Sequence, residues 1–141
     1  MSRWRSARAG AAAALVWGAV EPIDKRVFAH DYSDVAMLGK LVTRGRAWPL
    51  AGIAIHAANG AAFGLAFEEA RRRTSLRPQR LALILALVEH AMLFPLAPVI
   101  DRVHPARGEP GVAPLFTARG LAQATARHAL FGAVLGRLAT R

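Results

Sequence analysis

One short apolar string, closed each time by a glutamate, occurs twice in this 141-residue chain, and the second copy constrains the fold more than any bulk property. Residues 14–21 read ALVWGAVE, ending at Glu21, and residues 82–89 read ALILALVE, ending at Glu89. A second pattern repeats in the same order: His56-x3-Gly60-x3-Gly64 returns as His128-x3-Gly132-x3-Gly136. Each half thus runs from an apolar stretch with an acid, through a polar connector, to an apolar stretch with an imidazole. This order predicts two tandem helical hairpins, repeat 1 over about 7–67 and repeat 2 over about 78–138, within a single domain of residues 1–141.

Four apolar segments carry the pattern. Trp48 to Phe67 holds no formal charge, and Leu81 to Ile100 is interrupted only by Glu89 and His90. About 20 residues at about 1.5 Å per residue cross a hydrocarbon core of about 30 Å, so both segments qualify as spans. Ala7 to Val20 (or to Val27) and Leu121 to Leu138 are marginal alone and gain support from the repeat. The expected fold class is therefore all-α, an integral membrane four-helix bundle. A cleaved leader carrying Arg3, Arg5 and Arg8 is one alternative, although the same string recurs inside the chain, where no leader belongs. A soluble bundle of very apolar helices is the other.

The net charge of +10 raises nucleic-acid binding, but the arginines gather between apolar segments without interleaved aromatics, so no nucleic-acid partner is expected. The chain has no cysteine, which excludes disulfides, thiolate metal sites and cysteine nucleophiles. Ten basic residues (Arg3, Arg5, Arg8, Arg71, Arg72, Arg73, Arg77, Arg80, Arg137, Arg141) fall on one predicted side, against about eight on longer, more acidic loops. The positive-inside rule then places both termini and the Arg71–Arg80 connector in the cytoplasm. Ser33 to Val42 reads as a short amphipathic interfacial helix, and Pro95 and Pro98 as a kink or end of the third helix. His30 and His104 read as surface residues beside Asp31 and Asp101.

Helical depth and facing direct Glu21, His56, Glu89 and His128 to one level, with Asn59, His90 and Arg127 nearby, as a buried polar centre. Gly18, Gly60, Gly64, Gly132 and Gly136 share faces with them, and small residues at four-residue spacing mark close helix packing. Ionisable groups inside a membrane suggest a proton, ion or small-solute pathway. Paired with one another, they equally serve as a structural lock. No catalytic residues are assigned and the reading leans away from an enzyme; no metal set is assigned, since Glu89 and His90 lack the Glu-x-x-His spacing of bundle metal sites. No cofactor is predicted; the competing class is a cofactor-bearing protein, with a b-type haem between His56 and His128 or a metal held by Glu and His on facing helices, or a lipid-acting membrane enzyme. The partners expected are the lipid bilayer and either a second copy or a larger membrane complex.

The paired motifs, His56-x3-Gly60-x3-Gly64 and Arg127-His128-x3-Gly132-x3-Gly136, resemble those of small, largely uncharacterised four-helix inner-membrane proteins of bacteria. That resemblance implies the membrane fold and brings no activity with it.

Overall fold

The helices begin where the sequence supplies an oxygen or a proline. Ser2 Oγ accepts from the Arg5 amide at 3.3 Å, Ser33 Oγ from Ala36 at 3.0 Å and Thr117 Oγ1 from Gly120 at 2.9 Å. These bonds satisfy amides that lack an intrahelical partner and open α1 (Arg3–Val27), α2 (Asp34–Val42) and α6 (Ala118–Leu138). Pro49 and Pro78 stand in the first turns of α3 (Trp48–Arg71) and α4 (Pro78–Leu93), where a missing N–H costs nothing. Pro95 lies in a 3-10 turn, Phe94–Leu96, after which α5 (Ala97–Val103) resumes. The computed structural model describes residues 2–140; the chain is all-α, and among those residues no strand forms beyond one isolated bridge between Tyr32 and Val112. Arg141 lies outside the described residues.

Two helix pairs dominate the packing, α1 against α3 and α4 against α6, with α6 also touching α1, while α3 and α4 meet only slightly. Glycine permits both pairs. A Cβ on Gly60 would meet the Gly10 carbonyl oxygen and stand 2.6 Å from the Ala14 Cβ. On Gly136 it would stand 2.6 Å from the Gln79 Cα, and on Gly132 2.8 Å from the Leu83 Cα. Backbone therefore rides on backbone in both pairs, as small-residue stripes allow. Gly64 packs the same way against Ser6 and Ala7, whereas Gly18 meets only the Val35 side chain, at 3.4 Å. In α1 it is Gly10 that lies under α3.

The pairs are not in the same register. Gly60 faces Gly10 and Ala14, but Gly132 faces Ala82, Leu83 and Ala86. Ala82 is the counterpart of Ala14 in the doubled string, so the second pair is slipped by about one turn.

One end of the molecule gathers the N-terminus, the connector 72–77 and the C-terminus. Glu68 is buried there, accepting from Ser6 Oγ at 3.0 Å and from Arg71 Nε at 2.9 Å, and Gln79 reaches Thr140. The opposite end carries α2 and the connector 104–117. Ser33 donates its amide to the Gly111 carbonyl, Ala113 to that of Asp31, and Lys40 Nζ binds the Pro110 carbonyl at 2.8 Å and Glu109 at 3.2 Å. His104 is buried in this cap rather than exposed. Its Nε2 faces the Met37 carbonyl at 2.9 Å and its Nδ1 accepts from the Ala106 amide, which assigns a neutral ring with the proton on Nε2.

Two helices are long and apolar enough to cross a membrane: Trp48–Arg71, with mean hydropathy 1.5, and Pro78–Val103, with 2.0. The helices α1 and α6 are long enough but do not meet the same standard.

Candidate functional site

Arg127 projects from the middle of α6 into the gap beside the last turns of α1 and is 2% exposed, so its charge demands partners. It has them in excess. Nε and one terminal nitrogen clasp Asp24 at 2.6 Å each, a two-pronged fork, and the other terminal nitrogen binds Asp34 at 2.7 Å and stands 3.6 Å from Glu21. The Tyr32 carbonyl takes a further bond at 2.9 Å. Gln123, one turn before Arg127, donates to Asp24 at 2.8 Å and to the His30 carbonyl at 3.2 Å. Glu21 is held from the other side: Ser33 Oγ donates to it, and the Asp34 amide donates at 2.8 Å. This knot ties α1, α2 and α6 together through three carboxylates and one guanidinium.

Trp17 closes the knot and opens a second arrangement. Its indole N–H donates to Asp34 at 3.1 Å, while its ring takes His56 and His128 edge-on, at 5.2 and 4.8 Å between centroids. His90 lies 4.6 Å from His128. Two imidazoles, from α3 and α6, thus flank one indole from α1, and a third, from α4, lies against His128.

Their protons can be placed. His128 Nδ1 lies 2.8 Å from the Ala124 carbonyl and must donate to it, leaving Nε2 as an acceptor in the neutral ring. Thr125 gives its hydroxyl proton to the Leu121 carbonyl, so the 2.9 Å contact from His90 Nε2 is an N–H donating to Thr125. That leaves His90 Nδ1 as an acceptor. His56 Nε2 is buried with no hydrogen-bond partner among the described residues.

These groups border a cavity of about 220 Å³, whose walls hold His56, His90, His128, Glu89, Asn59 and Arg127. Asn59 stands exposed at its rim on α3 and Glu89 half-buried on α4, flanking the edge where those helices scarcely touch. Glu89 makes no hydrogen bond or ion pair among the described residues. The remaining wall is largely aromatic and aliphatic, including Phe63, Phe94 and Phe131. Tyr32 also lines it; burial first, then the Asp34 carboxylate, pushes its phenol well above the usual range, with Arg127 opposing. A second cavity of about 530 Å³ lies between α1, α2 and α3 and is bordered by Glu21, Lys25, Ser33 and Trp48. His56 and Ala14 border both cavities.

Of the seven residues expected at one polar centre, six therefore share the first cavity, and Glu21 stands apart in the knot and the second cavity. Among the described residues no group of three or more His, Asp or Glu has metal-binding geometry. Trp17, Asp24, Tyr32, Ser33, Asp34 and Gln123 were not anticipated. Asp24 and Gln123 were within reach of helical spacing, three residues after Glu21 and four before Arg127. Asp34 and Ser33 were not, since they come from a connector that folds back.

Comparison with protein-family models, with curated proteins and with solved structures finds no match for this chain.

Proposed function

We propose that this chain is a multi-pass inner-membrane protein of four spans, two tandem hairpins with both termini cytoplasmic, whose polar centre forms a non-enzymatic pathway for protons or a small solute. The observation that carries the pathway is His56, a buried imidazole with an unpartnered nitrogen standing between two cavities. A neutral imidazole carries one donor and one acceptor nitrogen and can pass a proton or hydrogen-bond a solute from one side to the other.

The membrane placement is supported by what the surface exposes. Leu15, Val16 and Ile23 on α1, Leu50 and Ile53 on α3, and Ile84, Val88, Met92, Val99 and Val103 on α4 and α5 all face outward. A water-soluble surface does not sustain so continuous an apolar face. Arg3, Arg71 to Arg73 and Arg77 gather at one end of the bundle, and by the positive-inside rule that density supports assigning this end to the cytoplasm.

Reconstitution in liposomes with an internal pH-sensitive dye tests the pathway. An imposed gradient should dissipate faster with the wild-type protein than with His56→Leu, and equal rates would reject it. The absence of cysteine makes topology directly testable: a single cysteine at Thr74 should react with an impermeant maleimide only from the cytoplasmic side. The saturated Arg127 knot favours a second role for part of the centre, as the lock that holds α1, α2 and α6 together.

A further inference from the structure

The first cavity is asymmetric in its chemistry. The cationic and ring donors on its walls are committed: Arg127 to Asp24, Asp34 and the Tyr32 carbonyl, the Trp17 indole to Asp34, and the His128 and His90 N–H groups to Ala124 and Thr125. What remains for a guest is acceptor capacity at His128 Nε2, His90 Nδ1 and the Glu89 carboxylate, beside the buried, unpartnered His56 Nε2; the free donors among the described residues are the neutral Asn59 amide and Tyr32 hydroxyl. Charge has the same sign. Arg127 faces Glu21, Asp24 and Asp34, one guanidinium against three carboxylates, and Glu89 adds another with no counter-ion among the described residues. Lys25 and Lys40, the nearest lysines, are occupied by Asp31 and Glu109. Aromatic faces complete the wall, at Trp17, Phe63, Phe94 and Phe131. Bare acceptors, an unpaired carboxylate and aromatic faces are together the chemistry that holds an ammonium group on an apolar body.

We propose that this cavity binds a small hydrophobic organic cation bearing N–H donors, a protonated amine, with Glu89 as its counter-ion and with entry between α3 and α4. The inference rests on the pathway reading and specifies its solute. Asn59 and Glu89 flank the entry, and Leu93, half exposed, forms part of its edge. A carboxylate that no protein group neutralises can exchange a proton for such a cation, so that the Glu89 side chain is neutralised in both states.

The test uses the full chain in phosphatidylcholine nanodiscs, titrated calorimetrically with 2-phenylethylammonium, with empty discs as the blank. Saturable binding is expected, weakened about tenfold or more in Glu89→Gln and by a similar factor when neutral 2-phenylethanol replaces the amine. Glu89 ties no other element of the fold, so Glu89→Gln should enter discs and keep its helical circular dichroism. Leu93→Trp, which obstructs the edge from an exposed position, should remove saturable binding. Equal affinity for the alcohol, undiminished binding by Glu89→Gln, undiminished binding by Leu93→Trp, or no saturable binding of the amine would each overturn the proposal. Proton flux that depends on His56 without amine binding would reject the solute and keep the pathway. Failure of the wild-type chain to enter discs would reject the membrane reading itself.

Discussion

Glu21 and Glu89 close two copies of one string, yet the structure gives them opposite surroundings. Glu21 accepts from a serine hydroxyl and a helix-opening amide and stands beside Arg127; Glu89 has no polar partner among the described residues. The cause lies in the connector that comes after each copy. After α1 the chain turns through Tyr32 and starts α2 at Ser33, so the orphan amides of a helix N-terminus and its capping hydroxyl arrive at Glu21. After α5 the chain runs through the proline- and glycine-rich connector 104–117, which folds onto α2 and delivers nothing to Glu89. The one-turn slip between the helix pairs adds to the difference, since it places His128 against His90 where His56 meets Trp17. The doubled string thus supplies two carboxylates, and the connectors tie one into the fold and leave the other without a polar partner among the described residues.

The strongest way to break this contrast is to remove the hub of the knot. Arg127→Met leaves Asp24 and Asp34 buried without their counter-ion and should destabilise the protein by about 3–5 kcal/mol, the cost of stranding buried charge. Thermal unfolding in detergent, followed by circular dichroism, would show it as a large fall in the midpoint or loss of folded protein. A midpoint near wild type would mean that the knot is not what joins α6 to α1 and α2.

Backbone contact between α1 and α3 comes next. Gly60→Ala forces a methyl into the Gly10 carbonyl and should cost about 1–3 kcal/mol, as overpacking does. Gly18→Ala, which meets only the Val35 side chain at 3.4 Å, should be close to neutral in the same assay. Equal effects at the two glycines would contradict the packing described.

The comparison is sharpest when the two glutamates are changed alike. Glu21→Gln leaves a buried network imperfectly satisfied and should lose about 1–3 kcal/mol of stability. Glu89→Gln should leave stability unchanged or raise it slightly while altering ligand binding. If both substitutions shift the unfolding midpoint equally, the division between a locking and a binding carboxylate is wrong.

The smallest effect belongs to the outer cap. The Gly111 amide first and Lys25 second hold the Asp31 carboxyl below its ordinary range, and Lys40 and then Arg44 do the same for Glu109. Both folded-state values are depressed, so their stabilising contribution is fully present above the ordinary carboxylate pKa and is lost as pH falls through the lowered values. Both groups are exposed enough for solvent to screen them, so the midpoint should decline only slightly below about pH 4. Asp31→Asn should flatten that decline, and an unchanged slope would show that the decline arises elsewhere.

Much of this was legible in the chain. Apolar period and proline placement mark the four long helices, the Ser33 cap marks α2, and the His-x3-Gly-x3-Gly spacing marks the faces on which helices touch. Facing and depth were enough to direct His56, His90, His128, Glu89, Asn59 and Arg127 toward one space, because a helix fixes which residues share a side. Other features were out of reach. Trp17 sits inside the doubled apolar string, but lies between two imidazoles. His104 reads as a loop histidine and is buried under α2. Gly18 fits the small-residue stripe, yet Gly10 makes the close contact. Each depends on the angle and register at which two helices meet, which short local patterns do not encode.

The sequence by itself determined the helices, the small-residue faces they carry and the inventory of acids and imidazoles on them, since these follow from spacing along a single helix. Tertiary structure alone decided which acid Arg127 would hold. That choice depended on a connector folding back to bring Ser33 and Asp34 to Glu21, and a buried charge is stabilised only by groups that reach it in space.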